Sequence, residues 1–265
     1  MAYFLLVSFV LASPVRAQTV DEIVNARLLP GWRLADGAHM AGIEIILRNG
    51  WKTYWRAPGP AGIPPSFDWR RSRNLEGVEV IWPTPKVIQQ GNAQAIGYAD
   101  AVVLPLRVRP DRPGRPVELS GRIDIGVCSD VCVPVTLKLS GNLSARQGAP
   151  DPRIAAAMAS RPFSAEEAGV RRVACRLSPA EEGLGLRAEI DMPRVGGATE
   201  TVVVEVATPD IWVARARSAR RGGRIVAETR LYHVEGRAFA LDRSGIRLTV
   251  LGGGKAVEIQ GCPAG

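Results

Sequence analysis

Short apolar and β-branched runs recur along the chain, separated by Gly, Pro, Asn and Asp. In the first half they fall at 42–48, 78–82, 102–108, 117–125 and 133–139, with Asn49-Gly50 and a proline-rich stretch at 57–65 among the gaps. Runs of this length between turn residues read as strands. The pattern breaks at 147–169, where Gly148-Ala149-Pro150-Asp151-Pro152 reads as a linker. Asp151 is placed there to cap a short Ala-rich helix over 154–159. Strands resume at 171–177, 184–191, 201–206, 211–216 and 224–231, and again at 246–251 and 256–260. Arg221-Gly222-Gly223 and Gly252-Gly253-Gly254 read as hairpin turns. With no long helical periodicity, the pattern predicts an all-β chain of two sandwich or barrel domains, with a boundary near residue 150. No residue-level repeat relates the two halves.

Length and composition agree with that reading. The 265 residues are 46% apolar and 23% charged, enough for two cores and unlike a disordered or fibrous chain. Only two histidines, His39 and His233, are present, which leaves little room for a His-rich metal site or several acid–base centres.

The opening MAYFLLVSFVLASPVRAQTV sets the compartment. An apolar run from Tyr3 to Ala12 is followed by Pro14 and by Val15-Arg16-Ala17, with small residues at both key positions of a cleavage site. This is the pattern of a secretory signal peptide over 1–17, cut between Ala17 and Gln18, although no Lys or Arg precedes the apolar run. The run is shorter than the roughly 20 residues that span a bilayer, and no later stretch reaches that length, so the expected mature chain has no transmembrane segment. Export makes disulfides the first reading of an even number of cysteines. A net charge of +8 leans toward anionic partners or membrane surfaces, and outside the cytosol nucleic acid is a poor candidate.

The four cysteines form two pairs of different character. Cys128 and Cys132 bracket Ser129-Asp130-Val131 between β-like flanks, in Ile125-Gly126-Val127-Cys128-Ser129-Asp130-Val131-Cys132-Val133-Pro134. On one continuous strand they would lie roughly 13 Å apart, too far to bond. Across a three-residue hairpin loop they would face each other at roughly 5.5 Å, which suits a disulfide. So short a closure stabilises by only about 2 kcal/mol, and strain in a tight hairpin subtracts from that. Bonds of that kind are easily reduced. Spacing alone leaves a structural staple and a redox pair equally open, with a zinc half-site behind both. Cys175 and Cys262 stand near the first and last strands of the second half, where a bond would contribute roughly 4 to 5 kcal/mol. We read that pair as structural, while four cysteines still allow three connectivities.

Three stretches carry a family resemblance. They are Gly50-Trp51-Lys52-Thr53-Tyr54-Trp55-Arg56-Ala57-Pro58-Gly59 with Gly62-Ile63-Pro64-Pro65, then Gly97-Tyr98 with Val103-Leu104-Pro105-Leu106, and Val127-Cys128-Ser129-Asp130-Val131-Cys132-Val133-Pro134. Together they resemble the periplasmic N-terminal region of the DsbD/ScsB disulfide reductases, with the close-spaced cysteines of the ScsB branch. The second half resembles the family by β character only. The resemblance implies immunoglobulin-like β-sandwiches: a redox domain at 18–147, a linker with one short helix at 148–170 and a second sandwich at 171–265. It implies that Cys128 and Cys132 take electrons from a membrane-embedded or thioredoxin-like donor and pass them to periplasmic thioredoxin-fold clients, as part of a protein-disulfide reductase. The sequence shows neither a transmembrane conduit nor a thioredoxin-type Cys-x-x-Cys, so those electrons are expected from a separate protein. A non-catalytic binding module with two structural disulfides is the main rival, and metal handling linked to copper tolerance is a third reading.

The remaining signals are weaker. Asp130 would disfavour a neighbouring thiolate if close and ionised, but in a short loop it more often points to solvent. Trp51, Tyr54, Trp55 and Tyr98 are candidates for docking a partner, against the commoner fate of large rings in a sandwich core. Arg215, Arg217, Arg220, Arg221 and Arg224 form a basic hairpin, either an attractor of anions or a solvated guard of a sheet edge. Neither histidine has a recognisable partner, and the sequence calls for no cofactor and no resident metal.

Overall fold

The computed structural model describes residues 20–90, 93–208 and 210–265. The leader expected at 1–17, with its cut after Ala17, lies outside the described residues. A single helical turn, α1 (Val20–Ile23), leads into β1 (Val24–Arg33), β2 (His39–Leu47), β3 (Lys52–Tyr54), β4 (Ser66–Asp68) and β5 (Gly77–Val80). There follow β6 (Lys86–Gln90), β7 (Ala93–Ala99), β8 (Ala101–Arg109), β9 (Val117–Cys128) and β10 (Cys132–Leu143). One sheet has the order β1-β2-β8-β5, and the other β10-β9-β3-β7-β6 with β4 also on β9. Alternation explains the packing. Val102, Leu104, Leu106 and Val108 of β8 and Val117, Leu119, Ile123, Ile125 and Val127 of β9 are all buried in one core. Each such side chain contributes about 1.5–3 kcal/mol by leaving water.

The helix α2 (Pro152–Ala159) begins where Asp151 accepts a hydrogen bond from the Arg153 N–H, as the sequence predicts. It is docked rather than free: Ile154 is fully buried and packs with Leu29 and Met40 on the β1–β2 side. Beyond it come β11 (Phe163–Ser164), β12 (Arg172–Pro179), β13 (Leu184–Asp191), β14 (Thr201–Val206) and β15 (Ile211–Val213). The last strands are β16 (Arg217–Arg221), β17 (Arg224–His233), β18 (Ile246–Gly252) and β19 (Lys255–Gln260). These make sheets β11-β19-β18-β14 and β12-β13-β17-β15, the latter with β16 also on β17. Leu186, Ile190, Ile225, Leu231, Leu248 and Ile259 fill the core between them. The all-β sandwich expectation holds, and both glycine turns close hairpins: Gly252–Gly254 joins the two strands foreseen, while Arg221–Gly223 joins β17 to β16, a strand the pattern did not mark.

The two halves are in contact. Leu251 and Ala256, from β18 and β19, pack into the first-half core. Arg56, just past β3, reaches across to Glu205 at 2.9 and 3.0 Å and to Glu258 at 2.5 Å, while its guanidinium lies 4.2 Å over the Trp55 ring. Burial disfavours the charge on Arg56, but the two carboxylates outweigh it and raise its pKa.

The sequence pattern misses β1, whose run is interrupted by Pro30-Gly31. The ladder instead absorbs the pair as a register shift between Leu29 and Trp32. Gly31 sits there at φ 64°, and a Cβ at this position would stand 1.8 Å from the Met40 carbonyl oxygen. The short strands β3, β4, β6 and β7 are missed as well, hidden among prolines and aromatics.

Candidate redox site

The site grows from the β9–β10 hairpin. The two strands pair in register from Cys132 opposite Cys128 to Leu143 opposite Val117. Ser129-Asp130-Val131 forms the loop, closed by the Ser129 N–H donating to the Val131 carbonyl at 3.1 Å. Cys128 and Cys132 are bonded to each other with Cα atoms 4.1 Å apart. That is closer than the roughly 5.5 Å of a hydrogen-bonded pair and nearer the roughly 4.5 Å of a non-hydrogen-bonded one, a correction to the expected spacing.

Strand β3 flanks β9 on the other side, with Lys52 opposite Cys128 and Thr53 opposite Val127. Strand alternation therefore puts Lys52, Tyr54, Gly126 and Cys128 on one face and Thr53 and Val127 toward the core. The Tyr54 hydroxyl lies 2.8 Å from Cys128 Sγ and 3.4 Å from Cys132 Sγ, and 3.3 Å from the Ala61 carbonyl. The Lys52 ammonium lies 3.5 Å from the Ser129 carbonyl. Over this face folds the proline-rich loop 57–65. Gly126 makes the fit possible: a Cβ there would stand 2.9 Å from both Ile63 Cβ and Tyr54 Cε2.

The two sulfur-bearing residues are thus unequal. Cys128 is 0% exposed, in a small cluster with Tyr54 and Ala95. Cys132 is exposed, beside the 64% exposed Val131 and an exposed Asp130. A thiolate arriving from solvent meets Cys132, and the electron pair released by its attack goes to Cys128, next to a hydroxyl able to donate to it.

Cys175 and Cys262 are the opposite case. They are bonded, and each is 1% exposed in the second core. The Cys175 N–H donates to the Pro263 carbonyl at 2.7 Å, and Arg243 donates to the Cys175 carbonyl at 2.8 Å.

The docking expectation for Trp51, Tyr54, Trp55 and Tyr98 needs correction. They are 8, 2, 0 and 6% exposed: Trp51, Trp55 and Tyr98 belong to the first-half core and Tyr54 packs against Cys128, so none presents its ring to a partner. Tyr98 is anchored by donating to the Pro83 carbonyl at 2.8 Å, and burial pushes its hydroxyl pKa up. The basic hairpin splits: Arg220 turns inward to Glu200 at 2.5 Å and Arg215 bonds Gln94, while Arg217, Arg221 and Arg224 stay outside. His39 is buried with its ring 2.5 Å from the Pro30 carbonyl, and burial holds it below the ordinary histidine range. Lys52 and Gly126 carry no chemical signal of their own in the sequence. Their signal was position, opposite Cys128 on the neighbouring strand and two residues before it.

A β-sandwich bearing a half-hidden disulfide at a hairpin tip, covered by an aromatic and a proline-rich loop, has the form of a thiol–disulfide exchange module. Residues 25–143 match the family described as "Thiol:disulfide interchange protein DsbD, N-terminal". Residues 25–143 are thus a segment of the DsbD N-terminal type. Among solved structures it is similar to the N-terminal periplasmic domain of ScsB from Proteus mirabilis, at 19% identity and a TM-score of 0.70, over 94% of this chain and 97% of that one. A second match is the DsbD N-terminal domain of Neisseria meningitidis in its reduced form, at 13% identity and a TM-score of 0.29, over 48% of this chain and 88% of that one. No curated protein matches the chain in sequence. The fold is accordingly all-β and immunoglobulin-like. Among the described residues no helix is long and apolar enough to cross a membrane.

Proposed function

We propose that this is an exported, periplasmic thiol–disulfide interchange protein that relays reducing equivalents through Cys128 and Cys132. The observation that carries the reading is the inequality of the pair, an exposed Cys132 bonded to a wholly buried Cys128 beside the Tyr54 hydroxyl. In the loading step a donor thiolate attacks Cys132 Sγ, the Cys128–Cys132 bond breaks, and Cys128 leaves as a thiolate. The donor's second thiolate then attacks its own sulfur in the mixed disulfide and releases Cys132. The donor is oxidised to a disulfide, and the pair here has gained two electrons and, at neutral pH, its protons. In the unloading step the Cys132 thiolate attacks a client disulfide, and Cys128 resolves the mixed disulfide, so that the client leaves as a dithiol.

The donor is a membrane-embedded or thioredoxin-like protein and the client a thioredoxin-fold oxidoreductase. In this reading 18–147 is the redox domain and 171–265 a second sandwich held by Cys175–Cys262, with 148–170 between them and the leader removed after Ala17. The test is trapping. Cys128→Ala should accumulate a mixed disulfide with an oxidised thioredoxin-fold protein through Cys132, and Cys132→Ala should not. The reverse pattern, or a Cys128–Cys132 reduction potential below about −300 mV, where structural disulfides lie, would overturn the proposal.

A further inference from the structure

The sheet β12-β13-β17, with β16 and β15 along its far edge, turns one face to the second core and the other outward. Register puts Arg172, Asp191, Arg224 and Arg221 in one outward row across four strands. Four residues further along each strand, the same face carries Arg176, Arg187, Glu228 and Arg217 in one row, and Arg230 follows opposite Gly185. Seven arginines against three acids, Glu189 being the third, give this face an excess of four charges, half of the chain's +8. Among the described residues, Arg187 and Arg224 are the only two of these arginines with carboxylate partners, on Glu189 and Glu228. Among the described residues no ion pair holds Arg172, Arg176, Arg217, Arg221 or Arg230, and all five are exposed. At the end of the same face Trp212 of β15 stands opposite Tyr232 of β17, with ring centroids 6.0 Å apart and Trp212 47% exposed.

We infer that this outer sheet face is a docking surface for an anionic phospholipid bilayer. The cations spread over about 14 Å across the strands, a flat array whose guanidinium forks suit phosphate oxygens. A tryptophan–tyrosine pair at the margin fits the headgroup level, where such rings concentrate. An acidic protein fits less well, since protein interfaces deplete charge at their centre and bury aromatic anchors there. Here the centre is charged and the aromatics lie at the rim. The surface is separate from thiol exchange, and it would hold the chain beside a membrane whether or not the cysteines react.

The test is flotation of the full chain with vesicles of phosphatidylcholine alone and with about 30% phosphatidylglycerol. Binding is expected only to the anionic vesicles. It should be lost between about 0.05 and about 0.5 M NaCl, as the Debye length falls from about 14 to about 4 Å. At roughly fivefold in partitioning per arginine, replacing Arg172, Arg176 and Arg221 together by Ser should weaken binding about a hundredfold. The same charge removed at Arg48, Arg71 and Arg115, exposed in the first half, should change it far less. Brominated lipid should quench tryptophan emission in the wild type and not in Trp212→Phe. No binding to the anionic vesicles, binding indifferent to salt, equal loss in both triple variants, or quenching that survives Trp212→Phe would each overturn the proposal.

Discussion

Replacing Tyr54 by Phe removes one oxygen and keeps the ring that packs against Cys128. The lost hydroxyl lies 2.8 Å from Cys128 Sγ, the atom that takes up charge when a thiolate attacks Cys132. A hydrogen bond to an ionised group contributes about 1.5–3 kcal/mol, and sulfur, a weak acceptor, belongs at the lower end, about 1.5 kcal/mol. Rates of thiol–disulfide exchange follow thiol basicity with a sensitivity of about 0.4–0.5. With a similar fraction of the charge developed on the leaving sulfur, about 0.7 kcal/mol of that bond is felt in the transition state. The expected result is a reduction about threefold slower for Tyr54→Phe. Dithiothreitol opening of the bond, followed by acid quench, alkylation and mass spectrometry, measures it. The Cys175–Cys262 bond, buried in the other core, serves as an internal control whose rate should not move. An unchanged or faster opening of Cys128–Cys132 would refute the leaving-group argument.

Three further outcomes are expected. Gly126→Ala places a methyl 2.9 Å from Ile63 and Tyr54, so the 57–65 loop must lift; reduction of the Cys128–Cys132 disulfide should become faster while urea melts show a loss of about 1–3 kcal/mol. Arg56→Met leaves Glu205 and Glu258 without their shared cation; because these groups are 15–33% exposed, a loss of about 2 kcal/mol is expected, partly restored by adding Glu205→Gln. His39 is held below its ordinary pKa of 6.5 mainly by burial and also by the Arg33 charge, against the pull of the Pro30 carbonyl. The unfolded chain then binds the proton more readily, so this contribution is present above pH 6.5 and lost as pH falls. His39→Gln should flatten the acid side of a Tm–pH curve.

Much of this molecule could be read from local pattern. Strict alternation marks β9 and β13, Asp151 marks the helix start, and paired glycines mark two hairpins. The disulfide hairpin follows from a three-residue spacing between β-branched flanks. What pattern conceals is set by distant pairing. Tyr54 meets Cys128 across 74 residues because β3 lies beside β9, and Arg56 meets Glu205 across 149 and Glu258 across 202. No window of sequence contains those contacts. The four aromatics read as docking candidates are buried for the same reason: which face of a short strand points inward depends on neighbours that only the sheet supplies.

Pro134 stands opposite Gly126, two residues after the exposed sulfur, on a strand whose other side pairs with no described strand. A proline within a paired ladder turns its nitrogen to the free side, where it has no hydrogen to give. The edge leading away from Cys132 is therefore a poor template for a second copy of the same strand. Under the proposed function, a reactive sulfur exposed at the head of a twelve-residue edge risks zipping to a second copy and fixing the pair as a covalent dimer. On that reading Pro134 keeps the sulfur available while withholding the backbone that would make self-association durable, and encounters at this hairpin favour brief exchange over assembly.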